Sequence, residues 1–176
     1  MKKTFLVTLV FLFFILSFKP SFAQEAIASE SSSYQLPYSG LLPDSPLYFL
    51  KVIRDRIIGL MIGDPLKKAE FDLLQADKRL VGGVLVFSKG EGDIGLATIS
   101  KGENYLEESI IKTKEAKKQG METSGFSGKI SASIKKHKEV LKELKTKASA
   151  NKRENFVIIE KKLAGFEKEV NGVLLK

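Results

Sequence analysis

Two apolar stripes near the C-terminal end constrain this chain more than any other feature. Ile130, Ile134, His137, Leu141, Leu144 and Ala148 step by four and three residues, and so do Phe156, Ile159, Leu163, Phe166, Val170 and Val173. Side chains at that spacing share one narrow face of an α-helix, whereas a strand would scatter them over both of its faces. Two such helices in succession, parted only by a short polar stretch, predict an antiparallel hairpin with coiled-coil-like packing. Asn151, with Glu154 three residues on, reads as a capping box for the second of them.

The same grammar extends backwards. In "LLPDSPLYFLK", Leu41 to Lys51, Pro43 keeps Leu42 extended, Ser45 can accept from free backbone N–H groups, and Pro46 suits a first helical position. Leu47, Leu50, Ile53, Ile57 and Leu60 follow at helical spacing and are expected to face the core. Gly63-Asp64-Pro65 ends that helix and caps the next, in which Leu66, Ala69, Leu73, Ala76, Leu80, Val84 and Phe87 form one stripe. Gly82 and Gly83 each weaken a helix interior by about 1 kcal/mol relative to alanine, so a kink or a close helix crossing is expected there. "KGEGD", Lys89 to Asp93, is a turn. Leu96, Ile99, Leu106 and Ile110 mark a third helix, and "GMETSGFSG", Gly120 to Gly128, reads as a loop that returns Phe126 to the core. The expected fold is all-α: an elongated antiparallel bundle of about five helices, at about residues 46–62, 65–88, 94–119, 128–149 and 152–175, in a single domain over 41–176.

The N-terminal end reads as an export signal over 1–23. Lys2 and Lys3 precede an apolar run from Thr4 to Phe18, and Ser21-Phe22-Ala23 offers small residues for cleavage after Ala23. The alternative is an uncleaved anchor, although some fifteen apolar residues fall short of the roughly twenty a bilayer span needs. Residues 24–40 are serine-rich without apolar periodicity and read as a flexible tether. No later segment is apolar enough to span, so the expected location is secreted or extracytoplasmic, in the periplasm or envelope.

The chain has no cysteine, which removes disulfides, thiol nucleophiles, thiolate metal sites and a lipidated N-terminal cysteine. Cohesion must come from burial, and a chain of this size can bury about 70% of its unfolded surface. The formal charge is +8, and residues 101–176 carry 18 basic and 11 acidic side chains. His137 is the only histidine. It stands on an apolar seam without a His-x-x-x-His or Glu-x-x-His neighbour, and it reads as a seam residue with its ring edge hydrogen-bonded. Glu91 and Asp93 are too few for a calcium loop, and "GEGDIG" lacks the strand and lysine of a phosphate loop. No catalytic residue, cofactor site or metal site is therefore expected.

Lysines are the remaining candidates. Between Lys112 and Lys147 there are eleven lysines against four glutamates, and Lys135, Lys138, Lys142 and Lys145 run beside the seam of the fourth helix. Such a run reads as a solvated face whose stems cover apolar neighbours, or as a contact for polyanions such as anionic lipid headgroups or acidic envelope polymers. Nucleic acid is disfavoured, because no aromatic platform interleaves the lysines.

"LLPDSPLYFLK", then "DPLKKAEFDLLQADKRL" from Asp64 to Leu80, then "KKHKEVLKEL" from Lys135 to Leu144, together resemble the bacterial Domain of Unknown Function 5667 family over about Leu41 to Ala148. The resemblance implies a helical, often exported protein and brings no catalytic residue with it. Val81-Gly82-Gly83 departs from the alanine and glutamate of that pattern, and "ASANKRE", Ala148 to Glu154, lacks its proline. The sequence thus leads to an exported, non-enzymatic helical module that engages a protein partner or itself. Polyanion binding by the lysine-rich half, or service as a small extracytoplasmic chaperone or stress sensor, are the alternatives.

Overall fold

The computed structural model describes residues 34–175; the expected signal segment, its expected cleavage point and the expected tether as far as residue 33 lie outside the described residues. The described residues are all-α, with five helices: α1 Tyr48–Met61, α2 Pro65–Ser88, α3 Gly92–Lys118, α4 Ser124–Lys147 and α5 Ala150–Glu169. A π-helical turn, Val170–Leu174, continues α5.

Local chemistry sets the helix ends. Asp64 Oδ1 accepts from the Lys67 N–H at 2.8 Å, with Pro65 in the first position of α2. Gly90 and Gly120 follow α2 and α3 with φ of 95° and 81°, the left-handed conformation that lets the next N–H turn back onto a carbonyl five residues earlier, Glu91 to Val86 and Met121 to Ala116. Four starts differ from expectation: α1 begins at Tyr48, after Pro46 and without a side-chain cap, α3 begins at Gly92, and the last two differ in their local chemistry. α4 begins at Ser124, so Phe126 packs on the core from a helix and not from a loop. α5 begins at Ala150 after Ser149, whose hydroxyl donates to Asn151 Oδ1 at 2.6 Å; Asn151 caps nothing.

Helices α2 and α3 form one hairpin and α4 and α5 the other, and their apolar stripes meet in a single core. Every expected seam residue of α4 is buried, as are Phe156, Ile159, Leu163, Phe166 and Val170 of α5. At the end of the chain the stripe slips. Val173 is 48% exposed and Leu174 is 2% exposed, because the π-helical turn inserts one extra residue and moves the inward position on by one.

The glycine pair in α2 resolves as a close crossing in an unbroken helix. A Cβ on Gly83 would lie 2.5 Å from Ile99 Cγ1 and 2.8 Å from the Gly95 carbonyl, and one on Gly95 would lie 2.8 Å from the Gly83 carbonyl. Gly82 faces Ser39, Leu42 and Pro43 instead. Of the expected tether, Tyr34, Leu36 and Ser39 thus contact the bundle. Ser39 is buried, and its carbonyl accepts from Lys51 Nζ at 2.5 Å.

The largest correction concerns α1. The face formed by Leu47, Leu50, Ile53, Ile57 and Leu60 points away from the core, and these side chains are exposed, Ile53 at 51% and Leu60 at 81%. The inner face presents Asp55, Lys51 and Tyr48, with Gly59 set against the Phe71 ring. The reason lies in what α1 meets. The charges of Arg79 and Asp55 and the Ser39 and Leu41 carbonyls gather around Lys51, so the polar side of the helix turns in.

Candidate functional site

Two features stand apart from ordinary helix packing. One is a buried polar cluster between α2, α3 and α4. The other is the outward apolar face of α1.

In the cluster, His137 is wholly buried and both ring nitrogens meet carboxylates: Nδ1 lies 3.0 Å from Glu103 Oε1, and Nε2 lies 2.9 Å from Asp77 Oδ1. Asp77 Oδ1 also accepts from Ser133 Oγ at 2.7 Å, and Asp77 Oδ2 accepts from Tyr34 OH at 2.6 Å. Burial alone would lower the pKa of the ring. The Glu103 charge and the bonds to Asp77 and Glu103 outweigh it and raise the value from 6.5 to about 10, so the ring is an imidazolium at neutral pH that donates from both nitrogens. Burial, then the Asp77 charge, pushes the Tyr34 phenol well above its usual range, so it remains a donor. Glu103 Oε2 accepts no hydrogen bond among the described residues.

Sequence reading placed His137 on the seam and found no orienting carboxylate; the structure supplies two, 60 and 34 residues away in the chain. A signal was present. Asp77 follows Leu73 by four and precedes Leu80 by three, and Glu103 follows Ile99 by four and precedes Leu106 by three. Both carboxylates therefore occupy stripe positions that an apolar residue would otherwise hold.

The cluster's chemistry is self-contained. Each imidazole nitrogen faces a different carboxylate, so the three groups do not converge on one point, and no group of three such residues among those described could hold a metal ion. Asp77 and Glu103 are nearly as buried as the ring, at 3% and 1% exposure. An open depression of about 330 Å³ between Tyr34, Pro37, Leu73, Leu74 and Lys129 reaches Asp77 from outside.

The lysine stripe is largely committed to the fold. Lys138 Nζ lies 2.6 Å from Glu167 Oε2 and Lys145 Nζ 2.7 Å from Glu160 Oε2, so both tie α4 to α5. Lys135 and Lys142 project to solvent. Similar pairs, Lys162 with Glu107 and Lys114 with Glu169, join α5 to α3. The stripe is thus of two kinds, with Lys135 and Lys142 exposed and Lys138 and Lys145 ion-paired at about a third exposure. Two are interhelical struts.

On α1, Phe49, Leu50, Ile53, Ile57, Leu60 and Met61 are all more than half exposed. Stray exposed apolar residues are normal on any protein, but six on one helix face form a patch of the kind that marks an interaction surface. The residues that carry the family resemblance build the turn into this helix: Ser45 N–H donates to the Leu42 carbonyl at 3.0 Å, and Tyr48 N–H to the Ser45 carbonyl at 3.0 Å.

No family model matches the chain, and no curated protein or solved structure matches it. Among the described residues no helix is long and apolar enough to cross a membrane.

Proposed function

We propose that this chain is an exported, non-enzymatic interaction module whose docking surface is the outward face of α1, and that it belongs to the Domain of Unknown Function 5667 family. One observation carries the reading of the surface: α1 turns its polar side to the bundle and its apolar side to solvent. Globular helices do the reverse, because each buried aliphatic side chain is worth about 1.5–3 kcal/mol. A helix that forgoes that gain, with four packed helices beside it, presents its apolar face to something else. The cluster around His137 supports the scaffold role, since it binds α2, α3, α4 and the Tyr34 segment to one another. The motifs from Leu41 to Leu144 support the family assignment, and the apolar run from Thr4 to Phe18 supports export.

The test is the energetic independence of the surface. The double variant Ile53→Ser, Ile57→Ser changes the unfolding free energy by less than about 1 kcal/mol, whereas Leu141→Ala in the core costs about 2–5 kcal/mol. Equal losses from the two, measured by urea denaturation, would make α1 part of the core and remove the docking surface.

A further inference from the structure

We infer that the partner of this surface is a bilayer carrying anionic headgroups, on which α1 lies flat with Phe49, Ile53, Ile57 and Leu60 in the acyl boundary. The inference rests on the docking-surface reading and names its partner.

At 3.6 residues per turn the six outward side chains span an arc of about 120°. Arg56 borders that arc on one side and Arg54 on the other. Asp55, the single acidic residue of α1, is turned inward at 3% exposure, where its Oδ1 holds Arg54 Nη2 at 2.7 Å. The surface is therefore an apolar strip with Arg56 on one margin, Arg54 with its charge shared with Asp55 on the other, and no outward carboxylate, the pattern of a helix that rests in the interface of an anionic membrane. Its 14 residues extend about 21 Å, too short to cross a hydrocarbon core of roughly 30 Å but ample to lie along its surface. The formal charge, +8 for the chain and +5 without Lys2, Lys3 and Lys19, adds long-range attraction to the same kind of surface.

Charge also argues against a second copy. In an antiparallel two-fold pair of α1 strips, each margin meets its own equivalent, Arg56 against Arg56. In a parallel pair Arg56 meets Arg54. Either arrangement sets guanidinium beside guanidinium around an apolar centre, and the one carboxylate of the helix, Asp55, is turned inward and engaged with its own Arg54. Anionic headgroups meet the same margins with the opposite sign.

The absence of cysteine makes a direct test possible on the full chain. A single Leu60→Cys carries an environment-sensitive fluorophore on the strip, and a single Ile158→Cys carries it on the exposed side of α5 as the control. On vesicles in which a third of the phosphatidylcholine is replaced by phosphatidylglycerol, the label at position 60 moves to an apolar environment and the label at 158 does not. This local readout is indifferent to any binding by Thr4–Phe18. Arg56→Gln weakens the response roughly fivefold at low salt, added salt weakens it further, and Ile53→Ser with Ile57→Ser abolishes it. A label at 60 that stays in water on these vesicles, or responds equally to pure phosphatidylcholine, overturns the inference. So does a label that responds without lipid as the protein concentration rises, which assigns the strip to a second copy, or one that responds only to an acidic protein. In each case, an Ile53→Ser, Ile57→Ser variant that stays as stable as the parent leaves the docking surface standing without its lipid. A variant that unfolds removes both.

Discussion

An imidazolium held between Asp77 and Glu103, with no exposure to solvent, is costly to assemble and more costly to break. Removing one partner of a buried charge cluster leaves the others unpaired, which costs about 3–5 kcal/mol, so His137→Gln is expected to destabilise the fold by that order. The pH dependence follows from two groups. Between pH 6.5 and 10 the folded ring of His137 keeps a proton that the unfolded ring loses. Its contribution is complete below 6.5 and fades as pH rises, at a slope approaching about 1.4 kcal/mol per pH unit. Lys51 acts in the opposite sense: burial lowers its pKa from 10.5 to about 8, so between those values the unfolded chain binds more protons and stability rises with pH. Urea midpoints are therefore expected to fall from pH 6.5 to 8 and then to level off. His137→Gln should be flat to pH 8 and rise beyond it. A variant that still falls from 6.5 to 8 would place the titration on another group. Little of this was legible beforehand, for a physical reason. The periodicity of one helix shows that a polar residue stands on its seam, but only the register between helices shows that three such residues meet.

At the level of elements, glycine has opposite meanings at two helical positions. Gly83 sits where α2 and α3 touch, and a methyl group there collides with the Ile99 side chain and with the Gly95 carbonyl, which belongs to the backbone and cannot rotate away. Gly83→Ala gains up to about 1 kcal/mol in helix propensity but is expected to lose about 1–3 kcal/mol to overpacking, for a net destabilisation. Gly165 in α5 has nothing within 4 Å of where its Cβ would stand, so Gly165→Ala should stabilise by about 0.5–1 kcal/mol. Thermal midpoints of the two single variants moving in the same direction would refute the assignment of the crossing. The sequence flagged Gly82 and Gly83 together, because composition alone does not separate a contact with α3 from one with Leu42 and Pro43. The α4–α5 hairpin was legible nearly to its last turn, since each stripe has a constant period. The π-helical turn at Val170–Leu174 changes that period by one residue, and so Leu174 took the place expected of Val173.

Taken as a whole, the molecule is a four-helix scaffold with one helix of inverted polarity on its outside, and its stability should be distributed accordingly. Helices α2 to α5 share a continuous apolar core, while α1 buries Asp55 and none of its aliphatic side chains. The side-chain hydrogen bonds that attach α1 are those of Lys51 to the Ser39 and Leu41 carbonyls just ahead of the helix. Hydrogen bonds from a charged donor contribute about 1.5–3 kcal/mol each, less than the burial that holds the other helices. The apolar repeat of α1 was visible in the sequence and led to the wrong partner, because periodicity defines a face and is silent on what covers it. The inward direction was set by the Ser39 and Leu41 carbonyls ahead of the helix and by Arg79 of α2. Local opening should therefore release α1 without the scaffold. In native-state hydrogen exchange, amides from Val52 to Leu60 are expected to exchange with a low, denaturant-insensitive opening energy, while those around Ile99, Ile134 and Leu163 follow global unfolding. Anionic vesicles should then slow exchange in α1 alone, since ordering at an interface acts only on the helix that docks. Protection of α1 equal to that of α3 without any partner would mean that polar anchoring matches a hydrophobic core in strength, and the picture of a detachable, surface-seeking helix would have to be abandoned.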